Sequence, residues 1–344
     1  MKKIVFYLSI IALAVSCNSS KSKDNKFSII KGKTDGFKYE IAYDDTTNLK
    51  AEIHQLLSFY SHLLNADSGS SIIAQFNSNK SLNQKDYQLF NTSKLIFVKL
   101  DSLSKLMGEK TDGMFNTQMH DLLLLWGFAG AQAHPESVDQ SQVEALIPHQ
   151  YGGLVDFNEN GPVKVSGQKN LNYQIIYKSF LAEMLGQMFD SVYHIKNYYI
   201  NFGGDIKAKG NNGHDSYWPI SIEKPMFNTL KSIEFCKIPL KNYSLATENS
   251  YKKFFFYKGK RFSQNINPLT GFPERNEMLS ATILGKNTIN AKATAAFCML
   301  SGLEKSIQFL EKNPDLKAFL IFEKDNQIQY WSSSNLSATI SKQE

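Results

Sequence analysis

The chain has 344 residues, 42% of them hydrophobic and 20% charged, with a formal net charge of +6. That is ample for one large core or two modest ones. The charge is spread thinly, and no Lys/Arg block is long enough to read as a nucleic-acid stripe, so it fits a solvated basic surface and no nucleic-acid partner is expected. The sequence carries no dinucleotide fingerprint, no P-loop, no internal repeat and no Cys/His set with zinc spacing. Its histidines (His54, His62, His120, His134, His149, His194 and His214) are scattered.

Met1 to Cys17 reads MKKIVFYLSIIALAVSC. Lys2 and Lys3 form a basic n-region, and the apolar run Ile4 to Val15 is too short to span a membrane. Ala14-Val15-Ser16-Cys17 is like a bacterial lipobox, which makes Cys17 the expected lipidated N-terminus; a plain secretory signal is the other reading. The organisation expected is a leader over 1–16, a polar Ser/Lys tether over 17–26 and one folded unit over 27–335. The protein is then anchored by lipid in the bacterial cell envelope, facing the periplasm. Of the other cysteines, Cys298 lies in an apolar run and reads as a buried small hydrophobe, and no disulfide with Cys236 is expected.

The folded part opens with a hairpin, Phe27 to Gly32 and Phe37 to Tyr43, around Gly32-Lys33-Thr34-Asp35-Gly36. Ile53, Leu56, Leu57, Tyr60 and Leu64 have helical spacing over Leu49 to Asn65, and Tyr87 to Met107 is a second amphipathic helix. Gln142 to Ile147 is a short helix, Leu154 to Phe157 and Val163 to Val165 are strands, and Phe180 to Val192 is helical. Tyr198 to Phe202 is a buried strand running into Gly203-Gly204, where the backbone can approach another segment or a ligand closely. Such a pair of glycines belongs where crowding or a positive φ excludes a Cβ. Trp218 to Pro225 follows as a strand, Glu304 to Asn313 is a late helix, and Ala318 to Phe322 with Gln327 to Trp331 is a closing hairpin.

The stretch Leu245 to Gly302 holds the densest signals. A polar turn, Thr247 to Ser250, leads into an aromatic strand, Tyr251 to Tyr257; the basic turn Lys258-Gly259-Lys260 leads to Arg261 and Phe262. Asn267-Pro268-Leu269-Thr270-Gly271-Phe272-Pro273 is a rigidly bent loop. After the strand Ser280 to Leu284, Asn290 precedes the small-residue run Ala291 to Ala296, which opens a helix ending at Gly302. A strand, a polar loop and a helix start can bring N–H groups and oxygens to one point, which suits a phosphate or a metal ion.

In this order the pieces resemble the ApbE-type flavin transferases, FAD:protein FMN transferases, over about Lys31 to Trp331. Their T-S-G-x-Y turn is similar to Thr247-Glu248-Asn249-Ser250-Tyr251, their H-I-x-D/N-P-x-T-G-x-P loop to Gln264 through Pro273, and their A-D-A-x-x-T-A helix start to Ile289 through Ala295. The N-x-G-G-D pattern is met by Asn201 to Asp205, L-W-G-F by Leu125 to Phe128, and S-x-I-x-x-F-N by Ser71 to Asn77. The resemblance implies an α+β fold: one compact unit of mixed or antiparallel sheets with packed helices. It implies transfer of FMN from FAD, with magnesium, to a Thr or Ser hydroxyl of an acceptor flavoprotein of the envelope. A non-catalytic flavin-binding or scaffold protein on the same fold, or an FAD pyrophosphatase, is the alternative.

The resemblance also implies the site. The metal would fall to Asn290, Thr294 and the carbonyl of Ile175; the chemistry to Asn290, Gln264 and Lys178; the flavin contacts to Asp35, Asp67, Met114, Phe115, Asn116, Asn172, Lys178 and Ile266. Several of these depart from the family's pattern. Asn290 replaces its metal-binding aspartate, Gln264 its histidine, Asp35 the methionine of G-x-T-M-G-T, Asp67 a stacking aromatic, and Asn172 the aspartate of D-L-G-x-I-A-K-G. An amide oxygen can coordinate magnesium but brings no charge. These departures predict weakened magnesium binding.

Overall fold

The structure is a computed structural model that describes residues 27–130, 134–151, 155–158, 161–164, 167–226, 233–257, 259–337 and 341–342. The leader, Cys17 and the tether, together with Leu154, Val165 and Lys258, lie outside the described residues. In chain order the first half comprises β1 (Ser28–Thr34), β2 (Phe37–Tyr43), α1 (Lys50–Leu64), α2 (Ile72–Asn77), α3 (Gln84–Lys110), α4 (His120–Leu125), α5 (Gln140–Leu146), β3 (Val155–Asn158), β4 (Gly161–Lys164) and α6 (Gln174–Ser191). The second half comprises β5 (Tyr198–Phe202), β6 (Asp205–Lys209), β7 (Trp218–Glu223), β8 (Glu234–Leu240), β9 (Tyr243–Asn249), β10 (Phe254–Tyr257), β11 (Lys260–Ser263), β12 (Met278–Gly285), α7 (Thr288–Glu311), β13 (Lys317–Lys324), β14 (Gln327–Ser332), α8 (Ser334–Ser337) and β15 (Ser341–Lys342).

Eight strands form one sheet in the order β1-β2-β5-β6-β9-β12-β13-β14, every neighbouring pair antiparallel. Its central strand β12, Met-Leu-Ser-Ala-Thr-Ile-Leu-Gly, is buried at all eight positions, so both faces of the sheet are covered. On one face Ala246, Ala281 and Ile283 pack against Ala291, Ala295 and Cys298 of α7. On the same side Ile41 and Ile200 meet α1 and α6 through Ile53, Leu57, Phe180 and Leu185. On the other face Ala42, Ile206, Leu279 and Ile321 pack against the small sheet β15-β8-β7 through Ile220, Ile222 and Ile238. Helices gather on one side of an antiparallel sheet, as in an α+β layer architecture. Cys236 and Cys298 are both buried, and neither forms a disulfide among the described residues.

Several boundaries differ from the sequence reading, α6 for instance starting at Gln174 rather than Phe180, and two of them have a plain physical cause. Thr247 to Asn249 belong to β9, because Thr247, Glu248 and Asn249 pair with Thr282, Ala281 and Ser280; the ladder overrides their turn propensity, and the aromatic strand begins only at Phe254. The helix expected to open with Ala291, after Asn290, starts at Thr288, because Asn287 is the N-cap, its Oδ1 accepting from the amides of Ile289 and Asn290. It continues past Gly302, which breaks its line at φ 77° and ψ 174°.

Candidate functional site

The turn from β5 to β6 sets the site. Gly203 and Gly204 have φ of 58° and 98°, values that L side chains rarely adopt. A Cβ on Gly203 would also meet Lys178 Cδ and Phe37 Cβ at 3.3 Å, whereas one on Gly204 would meet nothing within 4 Å. The turn is pinned by Gly203 N donating to Lys38 O (2.9 Å) and Gly204 N donating to Asn201 Oδ1 (2.8 Å). A groove of about 470 Å³ runs beside it, lined by Lys31, Lys33, Lys38, Tyr39, Gly203 and Gly204 among others.

Asp205 follows the turn and is fully buried. Its Oδ2 accepts from Ser179 Oγ of α6 at 2.7 Å. Its Oδ1 lies 3.3 Å from Nζ of Lys292 on α7, and that ammonium is 2.6 Å from Glu248 Oε1 and donates to the Thr247 carbonyl at 3.2 Å. Burial alone would lower the pKa of Lys292; the Asp205 and Glu248 carboxylates instead hold it above its ordinary value, so it is charged. The Lys178 ammonium, from the residue before Ser179 on α6, donates to Gly203 O at 3.3 Å, and burial holds its pKa below the usual value against the pull of Asp205. At the start of α7, Glu183 Oε1 accepts from both N and Oγ1 of Thr288 (2.6 and 2.8 Å) while its Oε2 pairs with Lys207 at 2.9 Å. These bonds fix α6, α7, β6 and β9 around one corner of the sheet.

Asn290 and Thr294 are four apart on α7 and share a face. Asn290 is half-buried and Thr294 buried, and neither side chain has a hydrogen-bond partner among the described residues. Ile175 is the second residue of α6, half-buried against the core, where its carbonyl belongs to the first turn of the helix ladder. These donors are uncharged. Among the described residues no group of three or more His, Cys, Asp or Glu could hold a metal. The carboxylates Asp205 and Glu248 already face the Lys292 ammonium. Hard divalent cations bind mainly through free carboxylates, so the residues present do not fit a magnesium ion, and no step is derived through one.

Most expected flavin-contact side chains are engaged with the protein itself. Asp35, at φ 44°, accepts from Ser61 Oγ (2.7 Å), Asn65 Nδ2 (2.8 Å) and Tyr177 OH (2.8 Å), tying the first hairpin to α1 and α6. Burial and that carboxylate raise the Tyr177 pKa, so the phenol stays a donor. Asp67 is exposed and accepts from Gly130 N at 3.1 Å. Phe115 is a core side chain, and Met114 packs beside α7. Asn116 is buried, donating to Gln150 O (3.2 Å) and accepting from Gln118 N (2.9 Å). Asn172 is buried against His120 Nδ1 (3.3 Å) and accepts from Gln174 N (2.8 Å). Ile266 packs with Trp126, Leu122 and Val143 and bridges to Pro273. Gln264 is half-buried; its backbone N donates to Lys253 O at 3.3 Å.

The structure thus brings Lys178 together with the Gly-Gly turn, and it adds Lys292, Glu248 and Glu183, which the motifs did not single out. Lys292 did carry a signal in the sequence: a lone lysine inside a run of alanines and apolar residues must find carboxylates if that run is buried.

The family model described as "ApbE family" matches residues 36–320. The chain is 27% identical over 348 aligned positions to the Haemophilus influenzae FAD:protein FMN transferase, covering 97% of each chain. Among solved structures, the flavin transferase ApbE from Vibrio cholerae superposes with a TM-score of 0.71 at 23% identity, covering 91% of this chain and 99% of that one. The Pseudomonas stutzeri flavinyl transferase ApbE, in its apo form, superposes with a TM-score of 0.74 at 19% identity, covering 91% and 96%. At those identities the two superpositions establish the fold, an α+β unit. With the family model spanning 36–320 and the same architecture present throughout, the chain belongs to the ApbE family.

Proposed function

We propose that this chain is an FAD:protein FMN transferase. It breaks the pyrophosphate of FAD and joins FMN through its phosphate to a Thr or Ser hydroxyl of an acceptor protein, releasing AMP and a proton. The observation that carries the reading is the positively charged corner at the Gly203-Gly204 turn. There the Lys178 ammonium stands against the Gly203 carbonyl, with Lys292 nearby, beside glycine backbone that can approach an anion closely, on the fold of the family. The curated relatives of nearly full coverage carry the name of this activity.

In this corner Lys178 neutralises phosphate charge and orients the nucleotide against the Gly203 carbonyl side of the turn. Gln264 has no titratable proton, so it can orient a group by hydrogen bonding but cannot act as a base. The buried ties through Asp205, Glu183 and Thr288 hold the helix starts still, which is the positioning such a transfer needs.

The acceptor is a protein of the cell envelope, and the chain reaches it from a lipid anchor at Cys17. The basic n-region, short apolar stretch and small residues before Cys17 support that placement. No helix among the described residues is long and apolar enough to cross a membrane.

The test is incubation of the purified protein with FAD and a candidate envelope acceptor, read by in-gel flavin fluorescence after denaturation. A covalent fluorescent band that disappears when the acceptor Thr is replaced by Ala is expected. FAD binding without transfer to a proven acceptor would favour the non-catalytic alternative, and release of free FMN and AMP would favour the pyrophosphatase.

A further inference from the structure

Lys292 stands on α7 in a stretch whose other members, from Ala291 to Leu300, are buried as well, and it is itself only 2% exposed. An ammonium in such a place loses its hydration, and a well-packed apolar side chain there would often be as stable or more so. Its surroundings are specific. Glu248 Oε1 is at 2.6 Å, the Thr247 carbonyl at 3.2 Å and Asp205 Oδ1 at 3.3 Å. The three oxygens come from two strands, and among the described residues Asp205 Oδ1 has no partner besides this ammonium. Two carboxylates and a carbonyl are the hard-oxygen set that a divalent cation takes. Here the protein's own cation sits among them. On the same helix, Asn290 and Thr294 offer only uncharged oxygens.

The charges nearby point the same way. Lys178 lies within electrostatic reach of Lys292 and its two carboxylates, and Lys253 within reach of Lys178. Lysines so placed attract a pyrophosphate and repel a free divalent ion.

We propose that Lys292 is the resident cation of this site: its ammonium fills the oxygen cage of Asp205, Glu248 and Thr247, and lets the protein bind its flavin nucleotide without a divalent metal. Nζ spends its contacts on the cage, so Lys292 is a positioning residue. It fixes the end of β9 and the segment after the Gly-Gly turn, and its charge keeps two buried carboxylates from opposing the nucleotide. The inference rests on the reading of the chain as an FAD-using enzyme.

The first measurement is FAD binding to the wild-type protein by flavin fluorescence quenching, in millimolar MgCl2 and in excess EDTA. The dissociation constants should agree within about twofold. The second is thermal melting of wild type and Lys292→Ala under the same two conditions. Removing the ammonium exposes the cage to solvent ions, so MgCl2 should raise the midpoint of Lys292→Ala by about 3 °C or more and leave wild type unmoved. In EDTA, Lys292→Ala should bind FAD at least about tenfold more weakly, and MgCl2 should recover part of that loss, which a purely structural lysine would not allow. Folding of Lys292→Ala only in the presence of MgCl2 would support the proposal equally. FAD binding by wild type only in MgCl2 would overturn it and leave the transferase reading standing. A folded Lys292→Ala indifferent to MgCl2 would overturn it too. Failure of wild type to bind FAD in either condition would remove the transferase reading and the proposal with it.

Discussion

Gly271→Ala tests how the proline-bounded loop is seated. Gly271 has φ 72°, where an alanine is disfavoured by about 1–2 kcal/mol. A Cβ there would stand 2.4 Å from Val143 Cγ1, 3.2 Å from Ile147 Cγ1 and 3.3 Å from Leu122 Cδ2. Val143 is fully buried in α5 and cannot swing away, so overpacking adds about 1–3 kcal/mol. The residue's backbone is committed at both ends: Gly271 N donates to Asn267 O (2.8 Å), and its carbonyl accepts from Trp126 Nε1 (2.9 Å). Relief by moving the loop would therefore forfeit a hydrogen bond worth about 1 kcal/mol. The expected loss is about 2–5 kcal/mol, a fall in melting midpoint of roughly 4–10 °C for a domain of this size. Gly204→Ala is the internal control. It shares the positive φ, at 98°, but meets nothing within 4 Å, so only the conformational strain of about 1–2 kcal/mol applies. Circular-dichroism melts of both variants beside wild type decide the matter. A Gly271→Ala midpoint within about 1 °C of wild type, or one above that of Gly204→Ala, would refute the seating of this loop against α4 and α5.

Asp35→Ala removes the acceptor shared by Ser61, Asn65 and Tyr177 and should cost about 2–4 kcal/mol in urea unfolding, whereas Tyr177→Phe should cost about 1 kcal/mol. Burial works to raise the Asp86 pKa, but hydrogen bonds from Gln75, His62 and Asn83 and the His62 charge hold it below the ordinary carboxylate value. Its stabilisation is therefore complete above the unfolded value and lost as pH falls through the lower, folded one. Asp86→Asn should lower the melting midpoint at neutral pH, with the gap to wild type closing below about pH 4. Cys17→Ser should shift the protein from the membrane fraction to the soluble fraction, or leave it unprocessed, by immunoblot; wild-type fractionation of the variant would count against lipidation.

The long helices were legible because their evidence is local. The period of Ile53, Leu57 and Leu64 in α1 is written in consecutive turns, and those residues are buried; in α3 Phe97 and Leu100 are buried, whereas Leu95 and Val98, read into the same stripe, are exposed. The loop and Gly-Gly motifs were legible because prolines and positive-φ glycines punctuate a sequence whatever surrounds them. What could not be read was pairing over distance. Thr247, Glu248 and Asn249 have the composition of a turn, and only their register against Ser280 to Thr282 makes them strand. Asp35 looked like a lost flavin contact. Its donors stand 26, 30 and 142 residues away, so nothing near it announced a hydrogen-bonded hub.

The same non-locality governs the charges at the corner. Taken singly against the family's pattern, Asn290 for aspartate removes a negative charge, Glu248 for serine adds one, and Lys292 adds a positive charge. In space Glu248 and Lys292 meet at 2.6 Å, with Asp205 beside them. On the proposal above, the Glu248 carboxylate on β9 holds the Lys292 ammonium where an exchangeable ion would otherwise sit. The substitutions are therefore coupled through one cage. Reverting Asn290 to aspartate by itself would set a third carboxylate on the helix that carries Lys292 without vacating that cage. On electrostatic grounds it should do less for metal binding than removal of the lysine.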